Sequence, residues 1–438
     1  MELREEFLYH IWDEGHLRNE LVTVSGKAVR IVYPGQYNTN RGPDFFNAAV
    51  IIDGEHLTGS VEIHPNTYDW IAHHHEENPY YNKVILHVVF EHRGRESHTI
   101  REDGQPIEIL ELKDQLVEDI NKLFERHKTY PLKGQSSYCD LLSLIPSDHL
   151  QSILRKYGVQ RFENKVKRFN TSLLNSDFDQ ILYEGFLEAM GYDKNKYSFI
   201  TIAQTLTWKK LKDWYEEGME LDDLISVMTV SSGLLAVSSN YLPAPLVSDI
   251  QKRYEIQNYT AQRIHALWQK FRIRPANHPI YRMIVICHFL YRILDKGFVY
   301  HLLPIFQESI EYKDLFVRFK RLLAFSGTYH DSMIPRLGDN HLRTILINIV
   351  LPIAFLYFQK TGDSEGTQQI LKIYENHPAL ADNYVINFMN KYLSPGQQKL
   401  TAGSAMIQQG LIELYFRFCQ YHYCDDCRQT FGRSDIEG

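Results

Sequence analysis

Residues 42–64 read GPDFFNAAVIIDGEHLTGSVEIH: Pro-Asp, an apolar run, Asp-Gly, an alternating run, and Glu-Ile-His at its end. Asp-Gly between two β-branched runs is a hairpin signal, because both central positions of a tight turn need positive φ. The open end of that hairpin carries Asp44, Glu62 and His64. Register decides whether they meet. A two-residue turn at Asp53-Gly54 pairs Ile52 with Glu55 and sets Asp44 opposite Ile63, which leaves Asp44 and Glu62 on opposite faces. A three-residue turn ending at Glu55, or a bulge at Gly59, moves the count by one and puts Asp44, Glu62 and His64 on one face. Two carboxylates on one face make a hard-oxygen site for Mg²⁺ or Mn²⁺, with the Ile63 carbonyl as a further ligand.

The same texture extends outward from the hairpin. LVTVSGKAVRIVY (21–33), KVILHVVFEH (83–92) and PIEILELK (106–113) are short β-branched runs with Gly or polar punctuation, and a helix is expected over 2–13. Beyond about residue 115 apolar residues recur at three- and four-residue intervals, as in QSILRKYGVQRFENKVKRF and SAMIQQGLIELYFRFC. The fold class is α+β: a mixed sheet with flanking helices, then a large all-helical region. The expected organisation is an α/β module over 1–127, a Pro/Gly/Ser-rich linker over 128–140, a helical domain over 141–393, and a C-terminal helix with a cysteine cluster over 394–438. The 438 residues, 44% hydrophobic and 23% charged, are enough for more than one core and argue against disorder. The formal net charge of −7 excludes a uniformly basic nucleic-acid coat but not a local basic groove. The start MELREEFLYHIWDEG lacks the basic and small-residue features of a secretory signal, and ILINIVLPIAFLYF (345–358) is short for a membrane span. A buried helix there, a reducing cytoplasm and no membrane partner are the expectations.

Ten of the 20 histidines fall in the first 98 residues, including His64, His73-His74-His75, His87 and His92. A helix from Thr67 places His74 on the face of Trp70 and His75 on that of Ile71. His74 and His87 are therefore expected to support the hairpin site. With two carboxylates nearby, the group describes a polar pocket for a divalent cation, a phosphate, or both.

The pattern resembles the PD-(D/E)XK nuclease superfamily, in which Pro-Asp is followed one hairpin later by an acid, any residue and Lys. Pro43-Asp44 and Glu62-Ile63-His64 occupy those places over roughly the first 115 residues, with His64 where the superfamily has Lys. The resemblance implies a restriction-endonuclease-like sheet, a metal held by Asp44, Glu62 and Ile63, His64 activating or orienting water, and an acid from the first helix, Glu5 or Glu6, in support. A second Glu-Leu-Lys, at 111–113, has no Pro-Asp hairpin before it and ranks lower.

Near the C-terminus, Cys419-x4-Cys424-x2-Cys427 has the spacing of a thiolate-bound metal, with Cys139 or His422 as the fourth ligand. One distant Cys plus three clustered ones is similar to the iron–sulfur staple of some members of that superfamily, so Zn²⁺ and an Fe–S cluster are both expected cofactors. Arg161, Lys165 and Arg168 lie along one face of a helix, and Arg272 and Arg274 flank the break RIRPANHP, two places where a nucleic-acid partner would be gripped. Through GPDFFNA, GSVEIH, DWIAHHH, YNKVILHVV, RIRPANHP, ILINIVLP and the terminal CxxxxCxxC, the chain is also similar to an uncharacterised bacterial family, a conserved domain of unknown function. That similarity implies a cytoplasmic bacterial protein.

The leading expectation is a metal-dependent nucleic-acid phosphodiesterase with Asp44, Glu62 and His64 as catalytic residues. A nuclease-like module that binds nucleic acid or protein without cutting, and a His-rich metallohydrolase of small phosphoesters, are the alternatives.

Overall fold

The computed structural model describes all residues except 1–3, 14–15, 19, 39–40, 129–138, 140, 193, 260, 262, 265, 267, 270–272, 309–310, 422–423 and 432–438. The chain divides into two compact units, residues 1–175 with 382–438, and residues 176–381.

The first unit begins with helix α1 (Glu5–Asp13) and continues as strands β1 (Leu21–Val22), β2 (Ala28–Tyr33), β3 (Gln36–Tyr37), β4 (Phe45–Ile52), β5 (Glu55–Asn66), β6 (Val84–Glu91), β7 (His98–Ile100) and β8 (Pro106–Glu111). Among the described residues these form one eight-stranded sheet of order β1-β2-β4-β5-β6-β8-β7, with β3 also on β4. The β5–β6 and β6–β8 pairs are parallel and the other pairs antiparallel. The sheet is therefore mixed, and the long connection between β5 and β6 is the crossover that a parallel pair requires. α1 sends Phe7, Leu8, Ile11 and Trp12 into one core with Val61, Ile63, Leu86, Val88, Leu110 and Leu112. Since side chains alternate along a strand, Glu62, His64 and His87 face the other way, toward the crossover.

Register in the β4–β5 hairpin follows neither simple expectation. The turn is the two-residue Asp53-Gly54, both with positive φ (48° and 85°), and Ile52 pairs with Glu55 as that turn demands. Pairing runs evenly to Ala48 opposite Gly59, then slips, and Phe45 stands opposite Val61. The extra residue is on β4, where Asn47 takes φ 53°, rather than at Gly59 on β5. The bulge brings Asp44 level with Glu62. Asn is among the few non-glycine residues that adopt this conformation readily. Asn47→Val is expected to destabilise the first unit by roughly 1–2 kcal/mol in urea unfolding, whereas Asn47→Gly stays within a few tenths. Equal effects of the two would remove the bulge conformation as the cause.

The helical part of this unit consists of α2 (Asp69–Ala72) in the crossover, α3 (Ile120–Lys128), α4 (Leu141–Leu144), α5 (Ser147–Ser172) and segments after residue 382. α5 lies against the helix Ala405–Arg417 at close range, because Gly158 and Gly410 present no side chain where each backbone meets the other helix. The α5 face read from the sequence as basic is engaged there: Arg161 donates to Gln409 (3.0 Å) and Glu413 (3.1 Å), and Lys165 to Gln409 (2.7 Å). Arg168 packs on the Phe169 ring. A helix-facing basic stripe and a solvent-facing one share the same spacing, so only the glycines marked the difference.

Among its described residues the second unit is helical apart from a two-stranded ribbon (Thr328–Tyr329 with Ser332–Met333), and Phe186, Phe289 and Phe298 pack there ring against ring at 5.1–5.7 Å. ILINIVLPIAFLYF lies in a 23-residue helix, Asp339–Thr361, long and apolar enough to cross a membrane, but 67% of its most apolar window is buried within the protein. A π turn at Leu346–Val350 widens the helix just before Pro352, whose ring would otherwise meet the preceding turn.

Candidate metal centre

Asp44 and Glu62 hold each other through backbone and side chain. The Asp44 N–H donates to Glu62 Oε2 (3.0 Å), and the Ile63 N–H donates to Asp44 Oδ2 (2.9 Å). The Tyr9 hydroxyl donates to Glu5 Oε2 at 3.2 Å and also bonds to the Asp44 carboxyl, so α1 adds an acid and a phenol to the pair. Glu5 reaches Tyr9 because the two are one helical turn apart. Glu6 is on the same helix, and its side chain lies outside the described residues. Burial first, and then the charge of Glu62, raise the Asp44 carboxyl well above the usual carboxylate range. Burial likewise pushes Glu62 up to about 8.

His64 follows Glu62 on the same strand face, with Nε2 3.5 Å from Glu62 Oε1. The crossover supplies the rest. The expected helix from Thr67 stops at Ala72, and His74 takes a left-handed φ of 58°, which turns the chain back on itself. His73 and His75 thereby come to His64, while the His74 side chain is 75% exposed near Glu77. One ring nitrogen from each of His64, His73 and His75 lies within 4.8 Å of the others. His73 Nδ1 is 3.2 Å from His64 Nε2, and His75 Nε2 is 3.0 Å from Glu62 Oε1. Tetrahedral ligands at about 2.0–2.1 Å from Zn²⁺ are separated by a little over 3 Å, so the His64–His73 spacing fits one transition-metal ion and a nitrogen of His75 lies within 4.8 Å of both rings' ligand atoms.

Two further observations favour a cation. Both ring nitrogens of His75 are buried without a hydrogen-bond partner; the 3.0 Å approach of Nε2 to Glu62 lacks hydrogen-bond geometry. An imidazole stacked on Tyr81 at 3.8 Å and shut from water is expensive to leave unsatisfied. Behind His64, Nδ1 meets His87 Nε2 at 2.9 Å, and His87 Nδ1 meets Thr99 Oγ1 at 2.8 Å. If each Nδ1 carries the proton, the chain runs His64 to His87 to Thr99 and leaves the His64 Nε2 lone pair aimed into the cluster, the usual support of a ligating imidazole. Burial and neighbouring imidazoles depress His64 far below its ordinary value, and burial lowers His75 to about 4 and His87 to about 3. All three are neutral near pH 7, the form that binds metal.

Of the residues singled out from sequence, Asp44, Glu62, Ile63, His64 and His87 come together. His74 does not; His73, His75, Tyr9 and Thr99 join instead. Arg274 is exposed beside the turn Pro275–Asn277, Arg272 and His422 lie outside the described residues, and Cys139, Cys419, Cys424 and Cys427 occur in the first unit.

These values set the pH dependence of the protein kept free of metal. Glu62 is raised from 4.5 to about 8, so its contribution to stability is full below pH 4.5 and is lost as pH rises to about 8. His75 and His87 are lowered from 6.5, so theirs is full above pH 6.5 and is lost as pH falls toward 4 and 3. Each such group changes stability by about 1.4 kcal/mol per pH unit inside its window. Melting temperatures measured with chelator from pH 4 to 9 are expected to fall on both sides of an optimum near neutrality, most steeply in acid. A flat profile is incompatible with this site.

Sheet, acid pair and imidazole cluster together define an α+β protein with a candidate metal centre on one sheet face. Residues 5–383 match the family described as Protein of unknown function (DUF2851), and the chain belongs to that family. No curated protein and no solved structure matches it.

Proposed function

We propose that this protein is a metal-dependent phosphodiesterase acting on nucleic acid, with its cation held by His64, His73 and His75 and with Glu62 beside them as proton acceptor. The observation that carries the reading is the convergence of three imidazoles, one of them with both nitrogens buried and unpaired, next to a held carboxylate. Three neutral nitrogens suit Zn²⁺, Fe²⁺ or Mn²⁺ better than Mg²⁺, which prefers oxygen, so of the two cations expected for the carboxylate pair Mn²⁺ is the better match. Such an ion lowers the pKa of a bound water and offsets charge on a phosphoryl oxygen.

The chain's own groups do the remaining work. Glu62 Oε2 accepts from the Asp44 N–H, and Oε1 faces His64 and His75, where a bound cation would favour the carboxylate form that takes a proton. Asp44 is fixed by the Ile63 N–H and holds the Glu62 carboxyl in place. Tyr68 and Ile71, 60% and 55% exposed, lie on the crossover ahead of His73 in the chain and are the side chains on which we would have a base stack. The acid pair across a hairpin is also the placement that the PD-(D/E)XK resemblance implies, and we read the sheet as restriction-endonuclease-like on that basis.

The test is incubation of the full chain with single- and double-stranded DNA and RNA, and with a small chromogenic phosphodiester, in Zn²⁺, Mn²⁺ or Mg²⁺. Cleavage that disappears with chelator and in His64→Ala supports the assignment; cleavage persisting in His64→Ala sinks it. Hydrolysis of the small ester alone, indifferent to Tyr68→Ala, would favour the small-phosphoester reading over nucleic acid.

A further inference from the structure

The stretch PANHPIYR (275–282) starts the helix Pro279–Ile293 on a proline, whose fixed φ suits a first helical position. Arg282 is the fourth residue of that helix, one turn before the buried Ile286, so its side chain enters the second unit and is only 2% exposed. An arginine keeps its charge inside a protein, and a buried charge is costly unless an opposite one meets it. The partners of Arg282 are neutral. Nη2 donates to Asn277 Oδ1 (2.5 Å), Nη1 donates to the Arg336 carbonyl (3.3 Å), and the guanidinium carbon lies 5.6 Å from the centre of the Tyr192 ring. Among the described residues no carboxylate pairs with it, and Nε is buried without a hydrogen-bond partner.

Two neighbours add to the imbalance. Tyr192, just past the helix Phe178–Met190, takes a left-handed φ of 50°, which costs a bulky residue free energy. Its hydroxyl donates to Asn277 Oδ1 (3.3 Å), and its ring stacks on that of His341 at 4.3 Å. His341, near the start of the helix Asp339–Thr361, has Nε2 buried without a hydrogen-bond partner. Burial first, and then the charge of Arg282, lowers His341 to about 3, so its ring is neutral near pH 7 and can present Nε2 as an N–H donor. A guanidinium and an imidazole, both in contact with Tyr192, thus each carry a buried nitrogen with nothing to bond, on a background of uncompensated positive charge.

We propose that Arg282, His341 and Tyr192 form a binding site for a terminal phosphate group. A dianion offsets the guanidinium and accepts from both orphaned nitrogens. Donors drawn from three separate segments suit oxygens that point in several directions better than they suit a planar carboxylate. Because Arg282 is so deeply buried, only a group at the end of a ligand reaches it; a phosphate inside a chain carries a substituent on either side. Tyr192, 37% exposed, is where the site meets solvent. The site lies within the second unit and rests neither on the histidine cluster nor on hydrolysis there.

Full-length protein treated with chelator, so that the histidine site holds no cation, is titrated at constant ionic strength with inorganic phosphate, adenosine 5′-monophosphate and acetate. Calorimetry and melting curves are the readouts. Phosphate and the monophosphate are expected to raise the melting temperature with concentration, and acetate is not. The rise should vanish in Arg282→Met, which keeps most of the side-chain bulk. Binding should weaken about tenfold or more in His341→Phe, which keeps a ring against Tyr192. Arg274→Ala, at an exposed arginine on the adjoining turn, should leave both unchanged. Should Arg282→Met fail to fold, His341→Phe decides alone. Phosphate that does not bind the wild type, or that binds either variant as tightly as the wild type, overturns the site. An equal loss in Arg274→Ala also overturns it, since surface charge would then be the cause, and equal gains from acetate overturn the phosphate assignment. A 5′-phosphorylated oligonucleotide that competes where its 5′-hydroxyl form does not supports the site with a nucleic-acid end as the source; competition by the monophosphate alone supports it with a small ligand.

Discussion

His75→Ala is expected to remove the metal of the N-terminal site, with bound cation falling from about one equivalent to none and hydrolysis to background. His75 is the imidazole with no other use for its nitrogens: it stacks between Tyr81 (3.8 Å) and His64 (5.2 Å) and faces Glu62 without a hydrogen bond. A purely structural ring in that position would be relieved by removal of its unsatisfied nitrogens, so His75→Phe should then stabilise the protein at every metal concentration. For a ligand the outcome differs: His75→Phe melts higher than the chelator-treated wild type but gains nothing on addition of Zn²⁺ or Mn²⁺, whereas the wild type gains. Titration calorimetry and melting curves on the three proteins decide it. A His75→Ala protein that binds metal as tightly as the wild type would falsify the site.

The second large effect belongs to Glu62. Glu62→Gln keeps the shape and the acceptor oxygen for the Asp44 N–H but cannot take a proton. As proton acceptor, Glu62 is expected to account for a factor of about 10²–10⁴ in turnover, with the metal content of the variant unchanged. The same substitution removes one of two buried like charges, so the metal-free variant should be more stable than wild type at alkaline pH, where Glu62 loses its proton. Turnover within a few-fold of wild type refutes the acceptor role; loss of the metal together with turnover would make Glu62 a ligand instead.

Much of the first unit is legible in its sequence because strands leave a strong local trace. β-branched alternation locates β2, β4, β5, β6 and β8, and Asp53-Gly54 gives the turn. The meeting of Asp44 and Glu62 is not legible in the same way: it depends on Asn47 taking one uncommon conformation within an otherwise regular run. Helical phase misleads at His73–His75 for a related reason, since a left-handed His74 ends the periodicity that assigns faces. Tyr9 had an available signal in its one-turn spacing from Glu5. Thr99 had none, because its contact with His87 joins β6 to β7, strands that are not neighbours in the sheet. The Arg161 and Lys165 stripe contained the information for both of its readings, and tertiary packing selected the one against Gln409 and Glu413.

The bulge at Asn47 also sets how the hairpin tolerates changes in length. Between the turn and the acids, β4 carries one residue more than β5, and that surplus is stored in a single kink. Removing Asn47 outright therefore leaves a regular ladder in which Asp44 still stands opposite Glu62, while an even-handed extension of both strands moves neither. A one-residue insertion confined to β5 makes the two strands equal in count and leaves the kink without purpose. The acids thus answer to a difference in strand length rather than to length itself, and a loss at this position is, for their pairing, a silent one.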